Sequence, residues 1–147
     1  PGGPHVIRAQ PALLGELVEN LLDNASKYSP AGTPIVVRVG RHEDGVFVAV
    51  QDQGMGISGH DVPHLFDPFY RGEEARRRGA AGLGLGLSVA YRLAGLFGAR
   101  LEVESRRECG STFTVRFPVP HPDLDPGEEG PFLTRPAQVV PGRPVMP

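Results

Sequence analysis

The chain has 147 residues, a formal net charge of −2 and a single cysteine, Cys109. This length fits one domain, and the near-neutral charge gives no general footprint for nucleic acid. One cysteine excludes an intramolecular disulfide and suits a reducing cytosol. The longest nearly apolar stretch, 83–96, is interrupted by glycines and an arginine and is too short to cross a bilayer. We therefore expect a cytoplasmic domain without a nucleic-acid partner.

The first predicted element is a helix over residues 11–28. Its apolar residues recur at three- and four-residue steps, a proline suits its first turn, and Ser-Pro-Ala-Gly follows its last. Two strand-like runs come next, at 35–39 and 46–50, with a hairpin connection over 42–45.

The middle of the chain is rich in loops. A glycine-rich loop over 52–57 leads to a short helical turn over 62–69 and then to a charged, mobile loop over 71–82. A second helix over 85–97 and strands over 101–104 and 111–119 follow, the last with strict apolar alternation. Strands that arrive in adjacent pairs predict an α+β two-layer sandwich, with a mixed or antiparallel sheet and helices on one face.

These elements define the predicted domain organisation. Residues 1–7 are interpreted as a leader or a truncated linker, and residues 8–120 as the folded domain. Residues 121–147 contain seven prolines and show no periodicity, so we expect a disordered tail.

The first helix carries a polar row of Glu16, Asn20, Asn24 and Lys27. These residues fall within about 80° of one another and border the apolar stripe. Asparagine is disfavoured inside helices, an amide oxygen suits Mg²⁺, and a lysine suits a phosphate. The chain has fourteen arginines, so Lys27 as its single lysine invites a chemical explanation. A solvated helix face is the alternative.

Two glycine-bearing segments could complete a phosphate or nucleotide site. Asp52 follows a strand and could accept a hydrogen bond from an exocyclic amine, while Gly54 and Gly56 permit close backbone approach. Residues 82–88 alternate glycine with leucine before a helix, and free amides at a helix start favour phosphate. An ordinary turn and a glycine-rich helix start remain the alternatives for the two segments taken alone.

Together these segments resemble the motifs of sensor histidine kinases in their order along the chain. The sequence 19–28 (ENLLDNASKY) resembles the N box, 52–57 (DQGMGI) the first glycine box, 65–71 (LFDPFYR) the F box and 82–87 (GLGLGL) the second glycine box. Residues 110–113 (GSTF) resemble the closing strand motif. The resemblance covers about residues 8–119.

The resemblance implies a Bergerat ATP-binding fold, which this family shares with the gyrase, chaperone and mismatch-repair ATPases. It implies that Asn24, helped by Asn20, holds Mg²⁺, and that Lys27 and Arg71 act catalytically on the phosphate tail. The nucleotide-binding residues that it implies are Asn20, Asn24, Lys27, Tyr28, Asp52, Gly54, Gly56, Ile57, Gly82, Leu83, Gly84, Leu85, Gly86, Leu87 and Thr112.

Further expectations come from the same resemblance. Residues 71–83 would be a lid that orders over bound nucleotide. Anchoring this lid is one role for Phe66 and Phe69, but buried aromatic residues more often belong to the core, and we expect these two to pack there. Leu83 stands where a threonine is frequent. Asn20 stands where the gyrase-like ATPases have a glutamate base, and Glu16 and Glu19 are not placed to replace it. We therefore do not expect autonomous ATP hydrolysis.

The acceptor histidine is expected on another domain, since none of the five histidines lies in an acidic-arginine-threonine-proline context. The implied partners are a histidine-containing dimerisation and phosphotransfer domain and a downstream response regulator, in a membrane-bound homodimeric parent. Two alternatives remain: a nucleotide-binding regulatory module without kinase activity, and a serine kinase of the anti-sigma type.

Overall fold

The computed structural model describes residues 7–43, 45–80 and 82–118. The predicted leader up to residue 6, the predicted strand end at residue 119 and the predicted tail over 121–147 lie outside these residues. The elements in chain order are α1 (Pro11–Tyr28), β1 (Val36–His42), β2 (Gly45–Gln51), a 3-10 turn (Val62–His64), α2 (Glu73–Arg77), α3 (Gly86–Leu96), β3 (Arg100–Arg106) and β4 (Gly110–Pro118).

The four strands form one antiparallel sheet in the order β1-β2-β4-β3. Phe113 in the middle of β4 lies opposite Val50 of β2 and Val103 of β3, and all three side chains are fully buried. Side chains alternate between the two faces of a strand, so these three define the face that carries the core.

Helices α1 and α3 supply the other side of that core. Leu17 and Leu21 of α1 and Leu93 of α3 are buried in one cluster with the inward side chains of the sheet, among them Phe113. This arrangement confirms the predicted α+β architecture. Among the described residues, no helix combines the length and the hydropathy needed to cross a membrane.

The element boundaries agree with the sequence prediction where local signals are strong. Helix α1 has the predicted bounds, because Pro11 begins it and Ser29, in an extended conformation, ends it. Strand β1 runs beyond the predicted residue 39, since its pairing with β2 continues to His42 opposite Gly45. The predicted helical turn over 62–69 is shorter than expected, with helical geometry only at Val62–His64.

Candidate functional site

The polar row of α1 lines a large cavity. Asn20, Asn24, Lys27 and Tyr28 all face it, and the cavity has a volume of about 510 Å³. This volume lies within the range of about 300–1,000 Å³ that is typical of small-molecule sites. Of the predicted row, Glu16 does not reach the cavity. The polar side chains of α1 therefore face a cavity of ligand size rather than bulk solvent alone.

The Asn20 amide is held in a defined orientation. Its Nδ2 donates a hydrogen bond of 2.9 Å to the backbone oxygen of Glu16, one turn earlier. The amide nitrogen is thereby occupied, and Oδ1 lies where a side chain at Gly86 would come within 3.3 Å of it. Oxygen is the ligand that Mg²⁺ prefers. Oδ1 of Asn20 is thus a suitable ligand for a magnesium ion that phosphate oxygens also bind.

Asp52 is a buried carboxylate at the end of β2. Its side chain is 3% exposed, and its Oδ1 accepts hydrogen bonds from the backbone N–H groups of Gly54 at 2.8 Å and Ser111 at 3.3 Å. Burial raises the pKa of Asp52, and the two N–H groups partly oppose this shift. Within the described residues neither bond goes to Oδ2, which leaves that oxygen to accept from a ligand in the cavity.

The glycines of the 52–57 loop allow backbones to approach each other. Gly56 has a φ of 68°, and a Cβ there would lie 2.1 Å from the backbone oxygen of Arg106 at the end of β3. A Cβ at Gly54 would lie 2.4 Å from the backbone oxygen of Tyr28. Gly56 and Ile57 line the cavity, whereas Gly54 does not. The contribution of Gly54 is the N–H that it donates to Asp52.

The 82–87 loop lies beside Asn20 and Lys27 of the polar row, and all six of its residues line the cavity. Gly82 lies against the Lys27 ammonium, and Gly84 packs so closely on Tyr70 that a Cβ would lie 2.5 Å from its backbone oxygen. We call this region, formed by residues 82–87 with Asn20, Lys27 and Tyr70, the glycine-loop side. Helix α3 starts here without a side-chain cap, so its first N–H groups can bind an anion.

The segment predicted as a mobile loop contains a short helix, which corrects that prediction. Helix α2 is only five residues long. It is supported by pairs four residues apart, Arg77 with Glu73 and Arg78 with Glu74, each at 2.8 Å. Arg71, just before α2, lines the cavity and donates a hydrogen bond across the segment to the backbone oxygen of Ala80.

We expect the described parts of this segment, 71–80 and 82–83, to exchange amide hydrogens faster than any other internal segment of the nucleotide-free protein. A five-residue helix held by solvent-screened ion pairs opens easily. Hydrogen exchange with mass spectrometry, without nucleotide and with saturating Mg-ATP, checks this. The α1 amides provide the internal reference. Protection of the segment equal to that of α1 in the nucleotide-free protein would contradict the expectation.

Besides Gly54, one more member of the predicted binding set lies away from the cavity. Thr112 does not line the cavity, whereas Ser111 does. Phe113 faces the helices, so the alternation of β4 puts Ser111 on that face and Thr112 on the opposite face. We therefore replace Thr112 with Ser111 in the candidate site. The alternation of β4 in the sequence already places Ser111 and Phe113 on the same face of the strand.

The two aromatic residues of the 65–71 segment behave differently. Phe66 packs against the core and stacks on Tyr91 with ring centroids 5.0 Å apart, which confirms the expected packing. That expectation was wrong for Phe69, whose side chain is 69% exposed and whose φ is 65°. Its N–H donates a 2.9 Å hydrogen bond to the backbone oxygen of Gly84, so it is the backbone of Phe69 that joins the glycine-loop side.

Several cavity-lining residues were not singled out from the sequence as ligand contacts. They lie on α1, in the loops after β2, on α2 and in the β3–β4 turn. They include Asp23, Met55, Ser58, His60, Asp61, Tyr70, Glu74, Arg77 and Arg107.

Comparison with known proteins gives consistent results. A family model described as "Histidine kinase-, DNA gyrase B-, and HSP90-like ATPase" matches residues 9–121. The sensor histidine kinase YkoH of Bacillus subtilis (strain 168) is 40% identical over 112 residues, which are 76% of this chain and 24% of YkoH. The signal transduction histidine-protein kinase AfsQ2 of Streptomyces coelicolor is 38% identical over 119 residues, covering 80% of this chain and 22% of AfsQ2.

A solved structure shows the same fold. The mycobacterial sensor histidine kinase MprB superposes with a TM-score of 0.66 at 28% sequence identity. The match covers 76% of this chain and 74% of that one. The chain spans less than a quarter of the length of the two curated relatives.

Proposed function

This chain belongs to the family of histidine kinase-, DNA gyrase B- and HSP90-like ATPases, and we propose that it is the ATP-binding catalytic domain of a sensor histidine kinase. It binds Mg-ATP and donates the γ-phosphate to a histidine on a separate dimerisation and phosphotransfer domain, in two-component signal transduction. One observation carries the proposal: the polar row of α1, Asp52 and the 82–87 loop, far apart in sequence, line one cavity.

In the proposed complex each side of the cavity has its own task. Oδ2 of Asp52 accepts a hydrogen bond from the exocyclic amine of adenine. The oxygens of Asn24 and Asn20 hold the magnesium ion, which neutralises phosphate charge when it is bound. Lys27 and Arg71 bind the phosphate tail, and the N–H groups at the start of α3 bind phosphate oxygens.

The transfer itself requires mainly positioning and charge neutralisation. An imidazole nitrogen of the acceptor attacks the γ-phosphorus, the bond to the bridging oxygen breaks, and ADP leaves. Any general base comes from the acceptor domain. Neither Glu16 nor Glu19 lines the cavity, so neither replaces the glutamate base that Asn20 lacks.

The two curated relatives are much longer than the matched region. We propose a membrane-bound homodimeric parent that holds this domain on the cytoplasmic side and passes phosphate to a response regulator.

Phosphotransfer to a supplied acceptor tests the proposal. The chain is mixed with Mg-ATP labelled in the γ position and a histidine phosphotransfer domain, and we expect acid-labile label on that domain. The matched control is the same acceptor with its histidine changed to glutamine, which stays unlabelled. Nucleotide binding without transfer would favour a regulatory module instead, and acid-stable label on a serine of an anti-sigma partner would favour a serine kinase.

A further inference from the structure

A second buried carboxylate lies beside the cavity. Asp61 is 8% exposed and lines the cavity. Its Oδ1 accepts a hydrogen bond of 2.6 Å from the Tyr70 hydroxyl, and its Oδ2 accepts one of 2.8 Å from the Ser58 hydroxyl. A buried carboxylate is costly unless it is well paired. Asp61 is therefore held by specific partners rather than by solvent.

The same carboxylate lies at the start of α2. A Cβ at Gly72 would lie 2.9 Å from Oδ2 of Asp61, so the backbone that leads into α2 packs directly on it. Burial raises the pKa of Asp61, but the hydrogen bonds from Tyr70, Ser58 and the Glu73 backbone, with the charge of Arg76, lower it below its ordinary value. The ionised form is the one that this environment favours.

Asp61 thus ties together two segments that line the cavity, the turn at Ser58 and the stretch from Tyr70 to Gly72. Ser58 follows the 52–57 loop, Tyr70 precedes Arg71, and Gly72 leads into α2. Tyr70 in turn contacts Gly84, whose position sets the glycine-loop side. Arg71 lies between Tyr70 and Gly72, and both of these residues contact Asp61, so Asp61 holds the chain on each side of Arg71.

We propose that Asp61 is a positioning residue that fixes Tyr70 and Arg71 on the glycine-loop side, where the γ-phosphate of ATP would lie. This inference rests on the proposed function, because it gives Arg71 a phosphate to bind. Asp61 itself needs no contact with the nucleotide. It acts through the Tyr70 hydroxyl and through the start of α2.

A comparison of ATP and ADP affinities tests this inference, with Asp61→Asn and Tyr70→Phe as variants. Loss of a charge-assisted hydrogen bond should lower Mg-ATP affinity about tenfold. Mg-ADP affinity should change by less than about threefold, because ADP lacks the phosphate that Arg71 contacts. The double variant should bind ATP about as weakly as Asp61→Asn alone, because Tyr70→Phe removes a link that Asp61→Asn already weakens. Isothermal titration calorimetry provides all the affinities.

Glu102→Gln is the matched control. Glu102 is a half-buried carboxylate that accepts a 2.8 Å hydrogen bond from Arg116, and it does not line the cavity. Whatever its effect on the melting temperature, loss of this pair should leave the ratio of ATP to ADP affinity unchanged.

The outcomes separate this inference from the proposed function. Equal losses of ATP and ADP affinity in the Asp61 variant, or additive losses in the double variant, would overturn the positioning role. If Asp61→Asn does not fold, Tyr70→Phe alone decides, because it removes the hydroxyl and keeps the carboxylate. A wild-type chain that binds no Mg-ATP would instead refute the proposed function itself.

Discussion

Asn24→Ala is expected to weaken Mg-ATP binding by about 100-fold or more, since removing a metal ligand costs at least as much as removing its supporting contacts. Asn24 lies one turn beyond Asn20 on the cavity side of α1. The alanine variant retains the helix but has no oxygen for the magnesium ion. The measurement is calorimetric titration with ATP, in the presence of Mg²⁺ and in the presence of a chelator.

The fold should tolerate this change. Asn24 is only half-buried, and alanine has a higher helix propensity than asparagine by about 0.7 kcal/mol or less. The melting temperature of the nucleotide-free variant should therefore stay at or slightly above that of the wild type. A loss of ATP affinity accompanied by a lower melting temperature would indicate damage to the fold rather than loss of a metal ligand.

Glu19→Ala is the control for this variant. Glu19 is an exposed residue on the same helix that does not line the cavity, so its removal should leave ATP affinity unchanged. The magnesium assignment of Asn24 fails if Asn24→Ala binds Mg-ATP as tightly as the wild type. It also fails if the variant loses affinity equally with and without Mg²⁺.

The parts of the fold that were predictable from the sequence are those with local signals. Helix α1 has a proline at its start and an apolar stripe along its length, and these are properties of neighbouring residues. Strand β4 shows strict alternation, and its inward residues are buried as that alternation predicts. Hydrophobic periodicity is sufficient for elements that bury one face.

Helix α2 was not predictable on that basis. It is too short to show an apolar period and contains one buried residue, Ala75. Its stabilising signal is the pairing of charges four residues apart, Glu73 with Arg77 and Glu74 with Arg78. Such pairs add little to an isolated helix, so the flanking glycines predicted a loop.

The candidate site likewise has parts that were predictable from the sequence and parts that were not. Asn20, Asn24 and Lys27 of the polar row and the 82–87 loop line the cavity, because each group is a local feature of the sequence. Asp61 could not be singled out, since the Tyr70 hydroxyl that it accepts from lies nine residues away and only the folded chain brings it to the carboxylate. A buried carboxylate is recognisable by its tertiary partners rather than by a sequence pattern.

Asp52→Asn should weaken ATP binding by about 10- to 100-fold, the cost of one hydrogen bond to a buried charged group. The N–H groups of Gly54 and Ser111 hold Oδ1, so asparagine keeps its oxygen there and presents Nδ2 in place of Oδ2. Two donors, Nδ2 and the adenine amine, would then face each other. GTP carries an oxygen at this position, so the affinity for GTP should not decrease.

The stability of the same variant has a definite pH dependence. Because burial raises the pKa of Asp52 above its ordinary value of 3.8, the folded wild type binds more protons than the unfolded chain between these two pKa values. Its stability therefore falls as pH rises from the unfolded value through the raised one. Asparagine does not titrate, so the melting temperature of the variant relative to the wild type should be higher at neutral pH than below 3.8.

These two measurements together distinguish a ligand-binding carboxylate from a structural one. A structural role predicts that Asp52→Asn lowers the melting temperature at neutral pH and weakens ATP and GTP equally. A binding role predicts that Asp52→Asn does not lower the melting temperature at neutral pH, because burial of the charge raises the pKa of Asp52 in the wild type. It also predicts a loss of affinity for ATP but not for GTP, because the free oxygen of Asp52 binds the adenine amine. Equal losses for the two nucleotides would remove the adenine assignment while leaving the magnesium assignment of Asn24 to its own test.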